Sequence, residues 1–222
     1  MQKFDTTAPI AAVLDIPAGR IRFIAADRAD TTVEVRPADA SKNRDLKAAE
    51  RVTVAYGDGI LRIEAPEAKN RVLGNSGSVE VTVQLPAGSR VEAKTDTAEL
   101  RGVGRLGDVT FESAQGTVKL DETHSAHLAL AAGHIAVGRL GGPARISTLK
   151  GDLTITEAVR GAVTLRTEAG DISVGAARGV SASLDAGTSY GRIHNSLTNN
   201  GADAALTIHA TTAYGDITAR SL

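Results

Sequence analysis

Thr117, His134, Asp152, Asp171, Arg192 and Asp216 each directly follow a glycine that recurs along the chain. Stacked on neighbouring turns of a repeat, Asp152 and Asp171 would bring like charges together, and paired carboxylates attract a cation. Calcium takes six to eight oxygen ligands, and the sequence carries no nonapeptide calcium repeat. The competing reading is that each carboxylate hydrogen-bonds its own turn and faces water. His124 and His127 form an H-x-x-H pair. Zinc sites use more ligands in fixed tetrahedral geometry, and the chain has no cysteine to supply them. His127 lies between Ala126 and Leu128 on an alternating strand and is expected to point outward, as are His194 and His209. No nucleophile elbow or phosphate loop is present. The sequence therefore assigns no catalytic residue, no cofactor-binding residue and no metal ligand.

The elements that would position these residues are built from small and branched side chains. Trp is absent, and Phe is limited to Phe4, Phe23 and Phe111. Large aromatics bury much area per residue, so their scarcity predicts a thin core of Ala, Val, Leu and Ile. The formal net charge is −1, with acids and bases interspersed, which gives nucleic acid no basic face to bind. No run of 18 apolar residues exists, so no transmembrane helix is expected. No export signal is visible, which makes a cytoplasmic location the expectation.

The glycines mark a repeat. Gly116, Gly133, Gly151, Gly170, Gly191 and Gly215 each have an aliphatic residue two places on: Val118, Ile135, Leu153, Ile172, Ile193 and Ile217. Two further on come Leu120, Val137, Ile155, Val174, Asn195 and Ala219. A second column runs through Ala93, Phe111, Leu128, Ile146, Leu165, Leu184 and Ile208, with Val91, Val109, Ala126, Ala144, Val163, Ala182 and Leu206 two residues ahead of it. Alternation with period two gives each strand one buried and one solvent face. Two strands and one glycine corner per period of about 18 residues describe coils of a parallel β-helix or β-solenoid, in which stacking buries what one coil cannot. Residues 1–222 read as one such domain, with irregular capping coils over 1–90 and regular coils over 91–222.

Before the regular coils, DIPAGRIRF (15–23) parallels QLPAGSRVEA (84–93), and RVTVAYGDGILRIEAP (51–66) places two alternating runs around a Gly-Asp turn. The polar segment 37–50 is expected to hold a short helix, 66–78 a loop, and Asn199–Asp203 a smaller excursion. All three tyrosines, Tyr56, Tyr190 and Tyr214, precede a glycine. That places them at coil corners, each leaning over a neighbouring turn as packing and not as a ligand platform.

Three stretches carry a family likeness: VEVTVQLPAGSRVEAKTDTAEL, STLKGDLTITEAVRGAVTLRTEAGDISV and TTAYGDITA. Over most of residues 79–222 the chain resembles the bacterial putative-adhesin family of β-strand repeats, a domain of unknown function. The resemblance implies a right-handed, single-domain β-solenoid and brings no catalytic residues with it.

The function expected on this reading is a non-enzymatic scaffold or adhesin-like interaction module. The last GDIT strand ends a few residues before Leu222, so its coil is expected to stand open at one end of the stack. Open strand edges offer backbone groups to another copy, which predicts self-association through the coil ends, unless Leu222 folds back across the opening. A protein partner is expected; nucleic acid is not. The alternative is a carbohydrate-binding or carbohydrate-cleaving β-helix. Against cleavage stand outward positions that read mostly Ser, Thr, Lys and Ala, such as Ser173 beside Thr154 and Thr164 beside Ser183.

Overall fold

The computed structural model describes residues 1–66, 77–199, 201 and 204–222. Most of the loop expected at 66–78, and part of the excursion at 199–203, lie outside the described residues. The strands are β1 (Gln2–Asp5), β2 (Ala11–Asp15), β3 (Ala18–Ala26), β4 (Asp30–Pro37), β5 (Thr53–Gly57), β6 (Ile60–Glu64), β7 (Val79–Pro86), β8 (Arg90–Ala132), β9 (Ile135–Leu140), β10 (Ala144–Lys150), β11 (Leu153–Ala158), β12 (Gly161–Arg166), β13 (Ile172–Ala176), β14 (Ala182–Tyr190), β15 (Ile193–Ser196), β16 (Leu206–Tyr214) and β17 (Ile217–Ser221). Among the described residues there is one helix, α1 (Asn43–Arg51), which starts inside the polar segment 37–50 expected to hold it and ends one residue beyond.

The fold is all-β and solenoid-like. Each lap of the chain makes two strand passes whose inward residues share one core. In β8 the chain turns several corners without leaving extended backbone, so one continuous strand supplies passes of successive laps. Parallel pairing piles the aliphatic residues in register. Along one pass Ile63, Leu14 and Ala93 are level, and further along so are Leu128, Ile146 and Leu165. Along the other, Val118, Ile135, Leu153 and Ile172 form an unbroken column. Phe23 and Phe111 are the bulkiest buried side chains in an otherwise aliphatic core.

The order of laps departs from the order of sequence at both ends. The strand β16 lies between β12 and β14, and β17 lies between β13 and β15. The last lap of the chain is therefore inserted between the two laps that precede it. The column continues from Ile172 to Ile217 and only then to Ile193. The first lap behaves alike: β2 sits between β6 and β8, and β3 between β7 and β8. The lap expected to stand open, 206–221, is thus interior, and the exposed terminal lap is 182–196. Nor does Leu222 cover the opening; its amide donates to the Ala176 carbonyl at 3.0 Å, alongside the inner neighbour.

Two registers differ from expectation for the same reason. Leu165 is level with Ala210 and Ala186, while Val163 is level with Ile208 and Leu184. The true slot lies five residues before the glycine in every lap, and the last two laps fill it with alanine. Thr164 consequently lies beside His209, not Ser183, whereas Ser173 does lie beside Thr154.

The far end of the stack is finished by antiparallel strands. There β5 pairs with β6, β4 with β7, and β1 with β4. Phe4 from β1 and Tyr56 from β5 meet with ring centroids 5.3 Å apart, packed on the core. Tyr56 is therefore not at a repeat corner; Asp58 and Gly59, both at positive φ, turn a hairpin there. The helix α1 docks through buried Asp45, whose Oδ1 accepts from the Ser78 amide at 3.0 Å.

Candidate functional site

Two places in this architecture gather the residues singled out by sequence: the glycine corner and the open end. At the corner, neighbouring laps approach closely. Gly133 and Gly151 have φ of 137° and 144°, a region that side chains with a Cβ rarely occupy. A Cβ on Gly133 would also overlap the Gly116 carbonyl oxygen. The marker glycines are thus required twice over, by backbone angle and by the packing of one lap on the next.

The motif Pro-Ala-Gly does not mark equivalent places. Gly19 joins the marker column, level with Val79 and Ala98. Gly88 lies at the opposite corner, where β7 passes into β8.

Outside the corner runs a ladder of side chains, and its bonds cross between laps. The amide of Asp152 donates to His134 Nδ1 at 3.1 Å, that of Asp171 to Asp152 Oδ1 at 2.9 Å, and that of Asp216 to Asp171 Oδ1 at 2.8 Å. The amide of Arg192 then donates to Asp216 Oδ1 at 2.8 Å, and its guanidinium reaches Asp216 Oδ2 at 3.2 Å. Those two contacts, the amide first, hold the Asp216 carboxyl below the usual carboxylate range. The expectation that each carboxylate bonds its own turn is corrected. Each one accepts the amide that follows the next lap's glycine, which also keeps the stacked carboxylates supplied with donors.

Inside the corner runs a second ladder that the sequence reading missed. Three residues before each marker glycine, Thr167, Thr212 and Thr188 donate to the carbonyls of Gly151, Gly170 and Gly215 at 3.1, 3.0 and 3.1 Å. Ser113 and Thr148 hold the same slot and donate to carbonyls of their own laps, Gln115 and Lys150, and Ser113 also reaches the Asp96 carbonyl of the neighbouring lap at 3.3 Å. The signal was present as a hydroxyl at a nominally inward position in five of six laps.

The histidines do not converge. His127 and His194 are exposed, as expected. His124 sits at the opposite corner, beside Gly141 and Gly142 between β9 and β10, and His209 Nδ1 faces Asp185 Oδ2 at 3.2 Å. Among the described residues, no group of three or more His, Asp and Glu side chains is placed to hold a metal. Nor is any helix long and apolar enough to cross a membrane.

At the open end, among the described residues, β14 is paired only with β16 and β15 only with β17. Ile193, at the end of its column, is 46% exposed, while Ile217 beneath it is 1% exposed. Tyr190 and Tyr214 lie on these adjacent laps with centroids 5.0 Å apart and planes 3° from parallel. Both remain largely exposed, at 67% and 60%. The next lap down holds Ala169 in that slot, so the aromatic stack ends after two rings. Asn195 stands where other laps carry an aliphatic residue, and its Oδ1 accepts from the Leu197 amide at 3.0 Å.

The chain is similar across nearly its whole length to several solved structures. A putative cell adhesion protein from Clostridium sporogenes shares 11% identity at a TM-score of 0.41, covering 100% of this chain and 98% of that one. A putative adhesin from Parabacteroides distasonis shares 14% identity at a TM-score of 0.48, covering 98% and 95%. A putative lipid binding protein from the same organism shares 12% identity at a TM-score of 0.45, again covering 98% and 95%. No curated protein matches the sequence. The family model described as Toastrack DUF4097 matches residues 13–221, both inserted end laps included, and the chain belongs to that family.

Proposed function

We propose that this chain is a non-enzymatic interaction module, an adhesin-like β-solenoid scaffold that binds protein and associates with itself through the open lap at 182–196. The observation that carries this reading is the unfinished end of the stack. There, among the described residues, a nine-residue strand edge and the half-exposed Ile193 have no further lap above them. Unpaired strand edges recruit further strands, and solenoids need a polar terminal cap to remain monomeric. The laps are taken to wind right-handed, as the family resemblance implies, and the expected location is the cytoplasm. Light scattering over a concentration series tests the reading: the wild-type mass rises with concentration, and Ile193→Arg holds it at one chain. A wild-type mass that stays at one chain throughout refutes self-association.

The stacked Tyr190 and Tyr214 rings favour a second reading, carbohydrate binding, because flat exposed aromatic faces suit sugar rings. A glycan array in which wild type binds and Tyr190→Ala does not would support it. An array without hits removes it.

A further inference from the structure

We infer that the open end takes one more copy of this chain, lap 182–196 against lap 182–196 about a two-fold axis, so that assembly stops at a dimer. This rests on the self-association reading and names its partner and its symmetry.

The two ends of the stack differ in a way that decides between a closed pair and a filament. A filament needs the open end of one copy to seat on the far end of the next. Among the described residues that far end presents only the edges of β1 and β5, four and five residues long, against the nine residues of β14. It is already closed across the core by the Phe4–Tyr56 contact. Lys3 and Asp5 put charge on β1, and charged short edges are a means of discouraging further pairing. Only the open end leaves core columns uncovered.

That end is also complementary to itself. Between Ala182 and Tyr190 the one charged side chain is Asp185, and Ile193–Ser196 carries none. Neither strand contains proline or lysine, so neither is blunted. A two-fold axis in the plane of the end reverses strand direction, so an edge meets its copy antiparallel, with alternate residue pairs able to exchange both ladder bonds. Centred on Ala186, such pairing sets Asp185 opposite Gly187, so the two carboxylates of the dimer do not face each other. Ile193, 46% exposed, and the partly buried Leu184 would gain cover from the partner.

A nine-residue strand edge is about 30 Å long, and two packed sheets are about 20 Å across with their side chains, so each copy covers about 600 Å². The total sits at the low end of specific interfaces, and the dimer should therefore depend on concentration.

The chain contains no cysteine, which permits a clean test with a short bismaleimide linker. Three variants are compared: Gly187→Cys at the open end, where an added side chain meets nothing within 4 Å, Ala55→Cys on the far edge strand, and the double variant. In the two-fold pairing the two copies of position 187 lie two residues apart, about 7 Å, within the linker's reach. The expected result is a covalent dimer from Gly187→Cys, monomer from Ala55→Cys, and dimer with nothing larger from the double variant. A ladder of larger products from the double variant would show self-association but overturn the two-fold closure, as would a dimer from Ala55→Cys alone. If no variant cross-links and light scattering reports one chain, the self-association reading itself falls. The variant Ile193→Arg, changed at an already exposed position, should abolish the Gly187→Cys product while circular dichroism stays unchanged.

Discussion

Ile217 and Ile193 hold the same slot on adjacent laps, two residues past a marker glycine, and the inserted order of laps gives them opposite surroundings. Ile217 is 1% exposed between Ile172 below and Ile193 above. Truncating it to alanine removes buried carbon atoms from a place where laps about 4.8 Å apart on both sides cannot close in. Such cavities cost about 2–5 kcal/mol, and a poorly collapsing site belongs in the upper half of that range. Ile193 is 46% exposed and has a neighbouring lap on one side only. Its truncation leaves no enclosed cavity and forfeits roughly half of the transfer energy, about 1 kcal/mol. Urea unfolding followed by circular dichroism, on protein dilute enough to remain a single chain, reads the difference. With a slope of about 2–3 kcal/mol per molar urea, Ile217→Ala should lower the midpoint by about 1 M or more, and Ile193→Ala by less than about 0.5 M. In a stack that followed sequence order the ranking would invert, because Ile193 would be interior. Equal or inverted shifts would refute the assigned order.

Ile172→Asp should prevent the middle laps from folding, because it places an unpaired carboxylate in a sealed column; a circular dichroism spectrum and melting curve like the wild type would contradict the column. Asp171→Ala withdraws the acceptor of the Asp216 amide and should cost about 1 kcal/mol, with Asp171→Asn, which keeps a carbonyl in place, recovering most of it in the same denaturation assay. Acid should weaken the closed end. The Arg28 side chain, with Lys3, depresses the Asp30 carboxyl from 3.8 to about 2. A depressed carboxylate contributes stability that is full above its unfolded pKa and lost as pH falls through the folded value. Asp30→Asn should therefore melt below wild type at neutral pH and converge with it as pH drops from 3.8 towards 2, and melting curves across that window that stay parallel would exclude the effect.

The columns were legible because their signals are local. An aliphatic residue two places after a glycine, and another five places before it, recurs within single laps, and the pairing of Leu153 with Ile172 follows directly. The helix within 37–50 was legible for the same reason. What could not be read was which lap lies on which, since every lap presents the same aliphatic pattern to either neighbour. Two clues to the open end were nonetheless in the chain. Asn195 interrupts an aliphatic column, as tolerated where one side meets water. The slots five before Gly191 and Gly215 hold Ala186 and Ala210, which groups those two laps together. The hydroxyl ladder of Thr167, Thr212 and Thr188 escaped notice because threonine is ordinary in strands. It became a feature only once neighbouring glycine carbonyls were placed above it. The AYGDG stretch misled in the opposite direction, since a Tyr-Gly-Asp string suits a hairpin at 55–59 as well as a corner at 213–216.

The insertion of the first and last laps changes how the ends of the stack are held. A solenoid wound in sequence order exposes its chain termini at its two ends, where the outermost lap has one neighbour and a free chain end. Here the laps nearest the termini, 11–26 and 206–221, have neighbours on both sides. At the open end the lap with fewer neighbours is an internal segment tethered at both of its own ends, whereas the far end is edged by β5 and the N-terminal β1. For 182–196 those tethers are the strands β13 and β16, themselves paired within the stack. Local opening of this lap therefore costs one interface, yet the segment cannot drift away from its site. That combination would suit the docking edge proposed above: the least supported lap is the one a partner would meet, and its attachment would keep it in position to reclose.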